Sequence, residues 1–228
     1  MFKGEHFNSA NIAFSIVFAE LCKNGIETGN GTKKLHNVGF YITNPLNRDI
    51  SAEWRNWSKT YAEREWEWYL SKNRSVEELK KFAPIWDRMH NGDNIVNSNY
   101  GYLWSEKGQL EKTIEQLRKD PLTRRAWITI FDGKNKDEFS KDTPCTLSIG
   151  FTIENNKLCM SVFMRSNDIW FGFCNDQYCF SKLQEHVASE LDLPVGWYYH
   201  HAADMHVYER HYYADKKFYL QNDSSYGR

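Results

Sequence analysis

The stretch "CTLSIGFTIENNKLCMSVFMR", residues 145–165, decides the fold. Its two flanks, 145–153 and 158–165, are short apolar runs with β-branched residues, which is typical of strands. Between them, "ENNK" is polar and carries two asparagines, residues that tight turns favour. The stretch therefore predicts a β-hairpin inside a sheet on which the neighbouring segments pack.

Helix-like and strand-like segments surround this hairpin without a regular alternation. Periodicity and capping residues, among them Ser75 and Glu78, predict helices at 9–25, 51–70, 75–83, 108–120, 176–193 and 209–220. Apolar runs predict strands at 34–43, 124–131 and 196–208, and polar stretches predict loops at 26–32 and 132–143. Because no repeat or linker divides the chain, residues 1–228 predict one α+β domain.

The composition excludes several classes of protein. The 228 residues are 41% hydrophobic and 26% charged with a net charge of -1, so no global basic field exists to hold a nucleic acid. The longest apolar runs have the length of strands, which argues against a membrane role. Five cysteines without a CxxC array predict a reduced, cytoplasmic protein.

Five residues near the hairpin could bind and attack a phosphorylated substrate. Cys145 opens a strand after a polar loop, where it is either a nucleophile activated by nearby cations or a small buried hydrophobe. Arg124 and Arg125 are adjacent, and Arg165 is followed by Ser166. Guanidinium groups with a hydroxyl predict a phosphate site, whereas solvated surface arginines are the alternative.

Three further residues stand on one face of the last predicted strand. His206 and Tyr208 are two residues apart, with Asp204 on the same side, and this spacing suits hydrogen bonds to a sugar hydroxyl. A structural core histidine is the alternative. No ligand spacing accompanies these residues, so no metal site is expected.

Two carboxyl groups could move protons. Glu65 lies in the aromatic segment "REWEWYL", where apolar surroundings would raise its pKa, unless it pairs with an arginine such as Arg55. Asp176 lies at a strand-to-helix junction in "FGFCNDQY", where it could cap the helix or contact a ligand.

Five motifs follow in the order and spacing of the thymidylate synthase family: "DPLTRR", "PC", "RSND", "FGFCND" and "DMHVYERH". The resemblance runs from about Glu65 to about His211. "REWEWY", "NSNYGYLWSE", "RSNDIWFGFCND" and "HVYERHYY" most resemble the bacteriophage deoxycytidylate hydroxymethylases. The resemblance implies a single domain with a large mixed β-sheet flanked by helices.

The resemblance also implies a chemistry. Cys145 would add to C6 of a pyrimidine nucleotide, so that C5 could attack 5,10-methylenetetrahydrofolate, a co-substrate that needs no metal. It implies the following roles: Arg165 and Ser166 bind the nucleotide phosphate, with Arg124 and Arg125 supplied by the partner subunit of a homodimer; His206 and Tyr208 hold the sugar; Glu65 and Tyr100 order water and move protons; Trp86 and Asp168 lie on the folate side.

The identity of residue 176 then indicates which base the substrate carries. Thymidylate synthases place an asparagine here, whereas a carboxylate can accept hydrogen bonds from both the amino group and the protonated N3 of a cytosine adduct. The expected reaction is conversion of dCMP to 5-hydroxymethyl-dCMP. Three alternatives concern the reaction: CMP as substrate, dUMP as substrate, or a methyl product. Two concern the class of protein: a catalytically silent nucleotide-binding protein, or an aromatic-rich nucleic-acid-binding module.

The chain also departs from the family pattern. Glu27 stands where the family usually has a basic residue, and Lys33 or Lys34 could replace it. Thr146 and Met164 stand at a usual histidine and a usual glutamine. The tail after the last predicted helix is short, although synthases close their tail over folate.

Overall fold

A single mixed β-sheet runs through the structure, a computed structural model that describes residues 3–90, 92–132 and 141–212. Its strands are β1 (Lys3–Phe7), β2 (Ile26–Glu27), β3 (Thr32–Ile42), β4 (Trp127–Thr129), β5 (Thr146–Glu154), β6 (Lys157–Met164), β7 (Asn167–Asp168) and β8 (Val195–Tyr208). The order across the sheet is β1-β3-β8-β6-β5-β4, with β2 beside β3 and β7 beside β8. Since β8 is antiparallel to β3 and parallel to β6, the predicted mixed sheet is confirmed.

The hairpin of β5 and β6 forms where the sequence predicts it. The strands pair antiparallel up to Glu154 opposite Lys157. Asn155 and Asn156 make the turn with φ of 50° and 57°. A two-residue hairpin loop needs positive φ at both positions, and asparagine adopts it at less cost than most side chains.

In the part of the chain that the structure describes, six α-helices flank the sheet: α1 (Ala10–Asn24), α2 (Lys59–Ser71), α3 (Trp86–Met89), α4 (Tyr100–Ser105), α5 (Gln109–Lys119) and α6 (Cys174–Glu190). Helix α1 packs on β3, and α6 packs on β6 and β8. Helix α2 packs on α6 and α4 in turn. The predicted α+β class is confirmed, and that residues 1–228 form one domain stays a prediction.

Aromatic side chains fill the space between helices and sheet. Phe14 and Phe18 of α1, Phe40 of β3 and Phe180 of α6 are fully buried. Each such ring contributes roughly 1.5–3 kcal/mol by leaving water. The high aromatic content therefore serves the core first, and the strands that carry the site are held on a rigid base.

The predicted helix at 51–70 begins later than expected. Helix α2 begins at Lys59, where Ser58 Oγ accepts a hydrogen bond from Tyr61 N at 3.2 Å. Residues 53–55 form one 3₁₀ turn, which Asn56 ends with φ 48°. The helical periodicity continued through this turn, but the capping serine sets the start.

The predicted helix at 75–83 is wrong in extent. Ser75 Oγ accepts from Glu77 N at 3.3 Å, and only Leu79–Lys81 form a 3₁₀ turn. Helices α3 and α4 and strands β1, β2 and β7 were not predicted, because each is too short to show a period. Strand β4 is shorter than the predicted run 124–131.

Two predicted segments lie partly outside the described residues. Of the helix predicted at 209–220, Glu209–His211 form a 3₁₀ turn and residues 213–220 lie outside. Most of the loop predicted at 132–143 and the C-terminal tail also lie outside.

Candidate active site

A cleft of about 460 Å³ lies at the C-terminal end of β8 and the N-terminal end of β3. In the antiparallel pairing of these strands, Lys34 stands opposite His206 and Thr32 opposite Tyr208. The lining residues are Thr28, Asn30, Thr32, Lys34, Arg165, Ser166, Asp204, His206 and Tyr208. Four residues predicted to bind substrate therefore meet at one cleft.

The polar end of the site consists of Lys34, Arg165, Ser166, Asp204 and His206, and hydrogen bonds and ion pairs join all of them except Arg165. Lys34 Nζ lies 3.1 Å from one carboxylate oxygen of Asp204, and His206 Nδ1 lies 3.2 Å from the other. His206 Nδ1 is also 3.4 Å from Ser166 Oγ. The polar end offers cations and hydroxyl-binding groups side by side, which suits a sugar phosphate.

Lys34, not Lys33, is the cation that this segment adds to the cleft. Lys33 Nζ donates to the carbonyl of Cys22 at 3.1 Å and lies 3.7 Å from the exposed carboxylate of Glu27. Lys33 and Lys34 are consecutive in β3, so their side chains point to opposite faces of the sheet. Of the two lysines considered as replacements for a basic residue at position 27, the geometry favours Lys34.

Cys145 lies against Arg165. Arg165 Nη2 is 3.6 Å from Cys145 Sγ, and the guanidinium is fixed by the carbonyl oxygens of Pro144 at 3.0 Å and Thr143 at 2.7 Å. Burial raises the pKa of Cys145 to about 11, Arg165 opposes this, and Asp176 adds to it. The thiol is therefore protonated at neutral pH, and its proton must leave when the sulfur attacks.

Asp176 forms the acidic end of the site together with Glu65, Tyr100 and Asn167. It is half-buried in the first turn of α6, where its Oδ2 accepts from Asn167 Nδ2 at 2.8 Å. Burial raises the pKa of Asp176 to about 7, against the hydrogen bond from Asn167. The same carboxylate raises the pKa values of Glu65, Tyr100 and Cys145, which places these groups close together.

Asp168, not Asp176, caps this helical segment. Its Oδ1 accepts from Trp170 N at 2.9 Å and its Oδ2 accepts from Phe171 N at 3.4 Å. The cap precedes a π-helical turn, Ile169–Phe173, that leads into α6. Asp176 therefore does not cap this segment. The folate-side role of Asp168 stays a prediction.

Glu65 is a buried carboxyl on α2 and is 5% exposed. Tyr69 donates to its Oε1 at 3.5 Å. Burial first and Asp176 second raise the pKa of Glu65 to about 8. Arg55, the partner considered as an alternative, instead donates to the carbonyl of Trp170 at 2.8 Å. Glu65 therefore carries a proton at neutral pH and can exchange it.

Tyr100 begins α4 and is buried beside these carboxyl groups. Its ring stacks on Phe180 at 5.6 Å between centroids. Burial, followed by Asp176 and Cys145, raises the pKa of Tyr100 well above its usual range. Its hydroxyl therefore stays protonated and can serve as a hydrogen-bond donor.

Trp86 is buried and is linked to Glu65 through Tyr61. Its Nε1 donates to Tyr61 Oη at 2.8 Å, and its ring packs on Trp68 at 5.2 Å. Tyr61 in turn hydrogen-bonds Glu65. The structure thus connects Trp86 to the acidic end, and its contact with a folate stays a prediction.

An aromatic surface with cations lies on the other side of Asp168. Phe171 is 46% exposed, with the guanidinium groups of Arg55 and Arg210 at 5.1 and 5.8 Å from its ring centroid. Trp170 stacks on His211 at 4.5 Å. Arg55 is buried and donates to the carbonyl of Trp170, so the exposed groups here are Phe171 and Arg210, which suit a flat aromatic ligand that carries carboxylates.

Arg124 and Arg125 do not line the cleft. Both are exposed in the segment before β4. Leu122 and Trp127 beside them are 86% and 46% exposed, which is unusual for large apolar side chains. Phosphate binding by these arginines across a homodimer stays a prediction.

Asn167 is a residue of the acidic end that the sequence interpretation missed. It lies inside "RSND", and its amide, with two donors and an acceptor, was the available signal. Its partners could not be read from the motif, because Asp176 reaches it from a helix and His200 from a distant strand.

Two features are absent from the described residues: a cluster of metal ligands and a helix that could span a membrane. In residues 3–90, 92–132 and 141–212, no group of three His, Cys, Asp or Glu side chains could hold a metal ion. None of the helices found there has the length and apolar character needed to cross a bilayer.

Known proteins with similar sequences carry related activities. The chain is 33% identical over 170 residues to a deoxycytidylate 5-hydroxymethyltransferase of Enterobacteria phage T4, covering 67% of this chain and 68% of that protein. It is 29% identical over 198 residues to a deoxyuridylate hydroxymethyltransferase of Bacillus phage SP01, covering 79% of this chain. The chain matches only about half of the SP01 protein, 51% of its length.

The fold and a family-wide sequence pattern agree with these relatives. The thermostable thymidylate synthase A of Bacillus subtilis superposes with a TM-score of 0.69 at 21% identity, covering 91% of this chain and 83% of that one. The sequence pattern of the thymidylate synthase family matches residues 18–223. The chain belongs to the thymidylate synthase family, whose members transfer a one-carbon unit to a pyrimidine nucleotide.

Proposed function

We propose that this protein is a deoxycytidylate 5-hydroxymethyltransferase, which converts dCMP to 5-hydroxymethyl-dCMP. One observation carries the choice of base: a carboxylate, Asp176, occupies the acidic end of the site beside Cys145. The T4 relative, 33% identical, is a deoxycytidylate enzyme by name, whereas the SP01 relative is a deoxyuridylate enzyme. The chemistry of Asp176 supports the first.

The carboxylate fits cytosine better than uracil. Each carboxylate oxygen offers two acceptor positions, and Asn167 uses one of them on Oδ2. Oδ1 and the remaining position on Oδ2 can accept from the N4 amino group and from a protonated N3. Uracil presents an oxygen at C4, which would face the carboxylate without a proton between them. A site of this kind discriminates because the wrong base leaves buried groups unpaired.

Asp176 also supplies the proton that the first step needs. As Cys145 Sγ bonds to C6, the C5=C6 π electrons shift toward C4 and N3, and N3 takes a proton. With a pKa of about 7, Asp176 holds that proton in half of the molecules at neutral pH and becomes the carboxylate that accepts from N3–H. The thiol proton passes to water, and Arg165 stabilises the sulfur as a thiolate.

Glu65 and Tyr100 serve the proton transfers that follow the attack of Cys145. With a pKa of about 8, Glu65 is protonated in most molecules at neutral pH, and its minor carboxylate form takes up the C5 proton through a water molecule. Tyr100 stays protonated and can orient that water. Cys145 then leaves C6 as a thiolate, the ring regains its C5=C6 double bond, and N3 returns its proton to Asp176.

The co-substrate is 5,10-methylenetetrahydrofolate, which the family uses. When bound, it supplies a methylene group at the oxidation level of formaldehyde, to which water adds. The exposed ring of Phe171 and the exposed guanidinium of Arg210 fit its rings and carboxylates. Trp86 and Asp168 would line the same side.

The polar end would hold the sugar phosphate. Arg165, Ser166 and Lys34 would bind the phosphate, and His206 with Tyr208 would bind the sugar hydroxyl. Arg124 and Arg125 would reach the phosphate of the neighbouring subunit in a homodimer, because they lie exposed and outside the cleft of their own subunit.

Product analysis tests this function. The protein is incubated with 5,10-methylenetetrahydrofolate and separately with dCMP, CMP and dUMP, and product masses are recorded while dihydrofolate absorbance is followed. We expect a hydroxymethyl group on dCMP without dihydrofolate. A methyl product with dihydrofolate, or turnover of CMP or dUMP in place of dCMP, contradicts the proposal.

Asp176→Asn tests the residue that carries the proposal. An amide donates where the cytosine amino group also donates, so we expect the preference for dCMP over dUMP to fall by at least about 100-fold in kcat/KM. An unchanged preference shows that Asp176 does not read the base.

A further inference from the structure

Three side chains lie in a row behind Asp176, and the reaction as described does not use two of them. Asn167 donates from Nδ2 to Asp176, its Oδ1 lies 3.1 Å from His200 Nε2, and His200 Nδ1 lies 2.7 Å from Tyr198 Oη. Asn167 is 3% exposed, and His200 and Tyr198 have no exposed surface. We refer to Asn167, His200 and Tyr198 as the buried row.

With Asp176 in its carboxylate form, the direction of each hydrogen bond in the buried row is determined. A carboxylate accepts only, so the amide of Asn167 turns Nδ2 toward Asp176 and Oδ1 toward His200. His200 Nε2 must then carry a hydrogen. Burial lowers the pKa of His200 to about 3, so the ring is neutral and Nδ1 accepts from the Tyr198 hydroxyl.

Close packing holds these groups in place. The His200 ring stacks on Phe40 at 5.5 Å and meets the edge of Phe173 at 5.0 Å. A Cβ at Gly172 would come within 2.8 Å of Asn167 Nδ2, so only glycine lets the backbone approach the amide this closely. The row is therefore built into the core and not a chance surface contact.

Resting on the proposed function, we propose that His200 and Tyr198 are positioning residues that fix the orientation of the Asn167 amide and thereby the base selectivity of Asp176. Without a donor at His200 Nε2, the amide can rotate and turn Oδ1 toward Asp176. Two acceptors then face each other, which favours a protonated Asp176. A protonated carboxyl has one donor and one acceptor, as asparagine does, and this pattern matches uracil.

Two variants at His200 and one neighbour separate this role from packing. His200→Phe keeps a ring between Phe40 and Phe173 but removes the donor. His200→Gln keeps a nitrogen donor at the same number of bonds from the backbone. His201→Phe is the matched control, because His201 lies on the opposite face of β8, against Phe163 at 5.3 Å.

The measured quantity is the ratio of kcat/KM for dCMP to kcat/KM for dUMP. We expect His200→Phe to lower this ratio by about 10-fold, since an unpaired buried acceptor costs about 1–3 kcal/mol. His200→Gln should restore most of the ratio, and His201→Phe should leave it unchanged. An equal loss on both substrates, or no difference between His200→Phe and His200→Gln, overturns the proposal.

A spectroscopic measurement on the wild-type protein keeps the proposal testable even where a variant does not fold. Nitrogen-15 NMR of the histidine rings should show His200 neutral, with hydrogen on Nε2 and none on Nδ1. The opposite tautomer overturns the buried row. Wild-type turnover of dUMP alone would overturn the proposed function instead, while the tautomer would still report on the row.

Discussion

The polar end and the acidic end of the site use charge in opposite ways. At the polar end, the amino group of Lys34 pairs with the carboxylate of Asp204 at 3.1 Å, His206 lies 3.2 Å from the same carboxylate, and all three line the cleft. At the acidic end, no cation among the described residues offsets the burial of Glu65 and Asp176, and their pKa values rise to about 8 and about 7. Paired, hydrated charges suit binding, whereas carboxyl groups that hold a proton at neutral pH suit proton transfer.

Removing the nucleophile between the two ends is expected to have the largest effect. Cys145→Ala should lower turnover by more than about 10⁴-fold, because no other group can form the bond to C6. Nucleotide binding, measured by calorimetry, should persist, since the polar end is intact. Cys22→Ala is the control and should keep full turnover. Full activity of Cys145→Ala would show that the covalent mechanism is wrong.

The next largest effect concerns the acidic end and stability. Because burial raises the pKa of Glu65 from 4.5 to about 8, the stabilisation from its protonated form is present below pH 4.5 and is lost as pH rises through 8. As the pH rises from 5 to 7, loss of the Glu65 proton in the unfolded chain should lower the unfolding free energy of the wild type by roughly 2 to 3 kcal/mol. Urea unfolding of Glu65→Gln should show a correspondingly smaller decline.

Glu63→Gln is the matched control for this measurement, because Glu63 is exposed on the same helix. Its unfolding free energy should follow the wild type at each pH. If the unfolding free energy of Glu65→Gln has the same pH dependence as that of the wild type, Glu65 is not protonated at neutral pH. The contrast between the two ends is then wrong.

The smallest effect belongs to the polar end. Lys34→Met should raise KM for the nucleotide by about 10-fold with little change in kcat, because one of several phosphate cations is lost. The loss should shrink at high salt, which screens charges exposed to the cleft. Lys33→Met is the control and should leave KM unchanged. Equal effects from both lysines would show that Lys34 has no special place in the site.

Local sequence predicted the larger elements of the fold. The hairpin of β5 and β6, helix α6 and strand β8 appear where periodicity and turn residues predict them, since each has enough residues for its pattern to show. Short elements such as α3 and β7 escaped prediction. Their backbone conformation depends on what they pack against, and two to four residues carry no readable period.

The candidate site was predicted in part. Arg165, Ser166, His206 and Tyr208 meet at the cleft as expected. Arg124 and Arg125 do not, and whether they bind a phosphate depends on a second subunit. The choice between Lys33 and Lys34 could not be made from sequence, because strand direction and the position of Cys22 decide which amino group finds a partner outside the cleft.

Sequence alone supplied the chemical groups: a thiol, guanidinium groups, a histidine and two carboxyl groups in the order of a known family. Tertiary structure decided what state these groups are in. The raised pKa values of Glu65 and Asp176 and the hydrogen-bond directions of the buried row depend on burial and on contacts between residues far apart in the chain. Such properties belong to the surroundings of a side chain and not to its identity, so no local pattern could have revealed them.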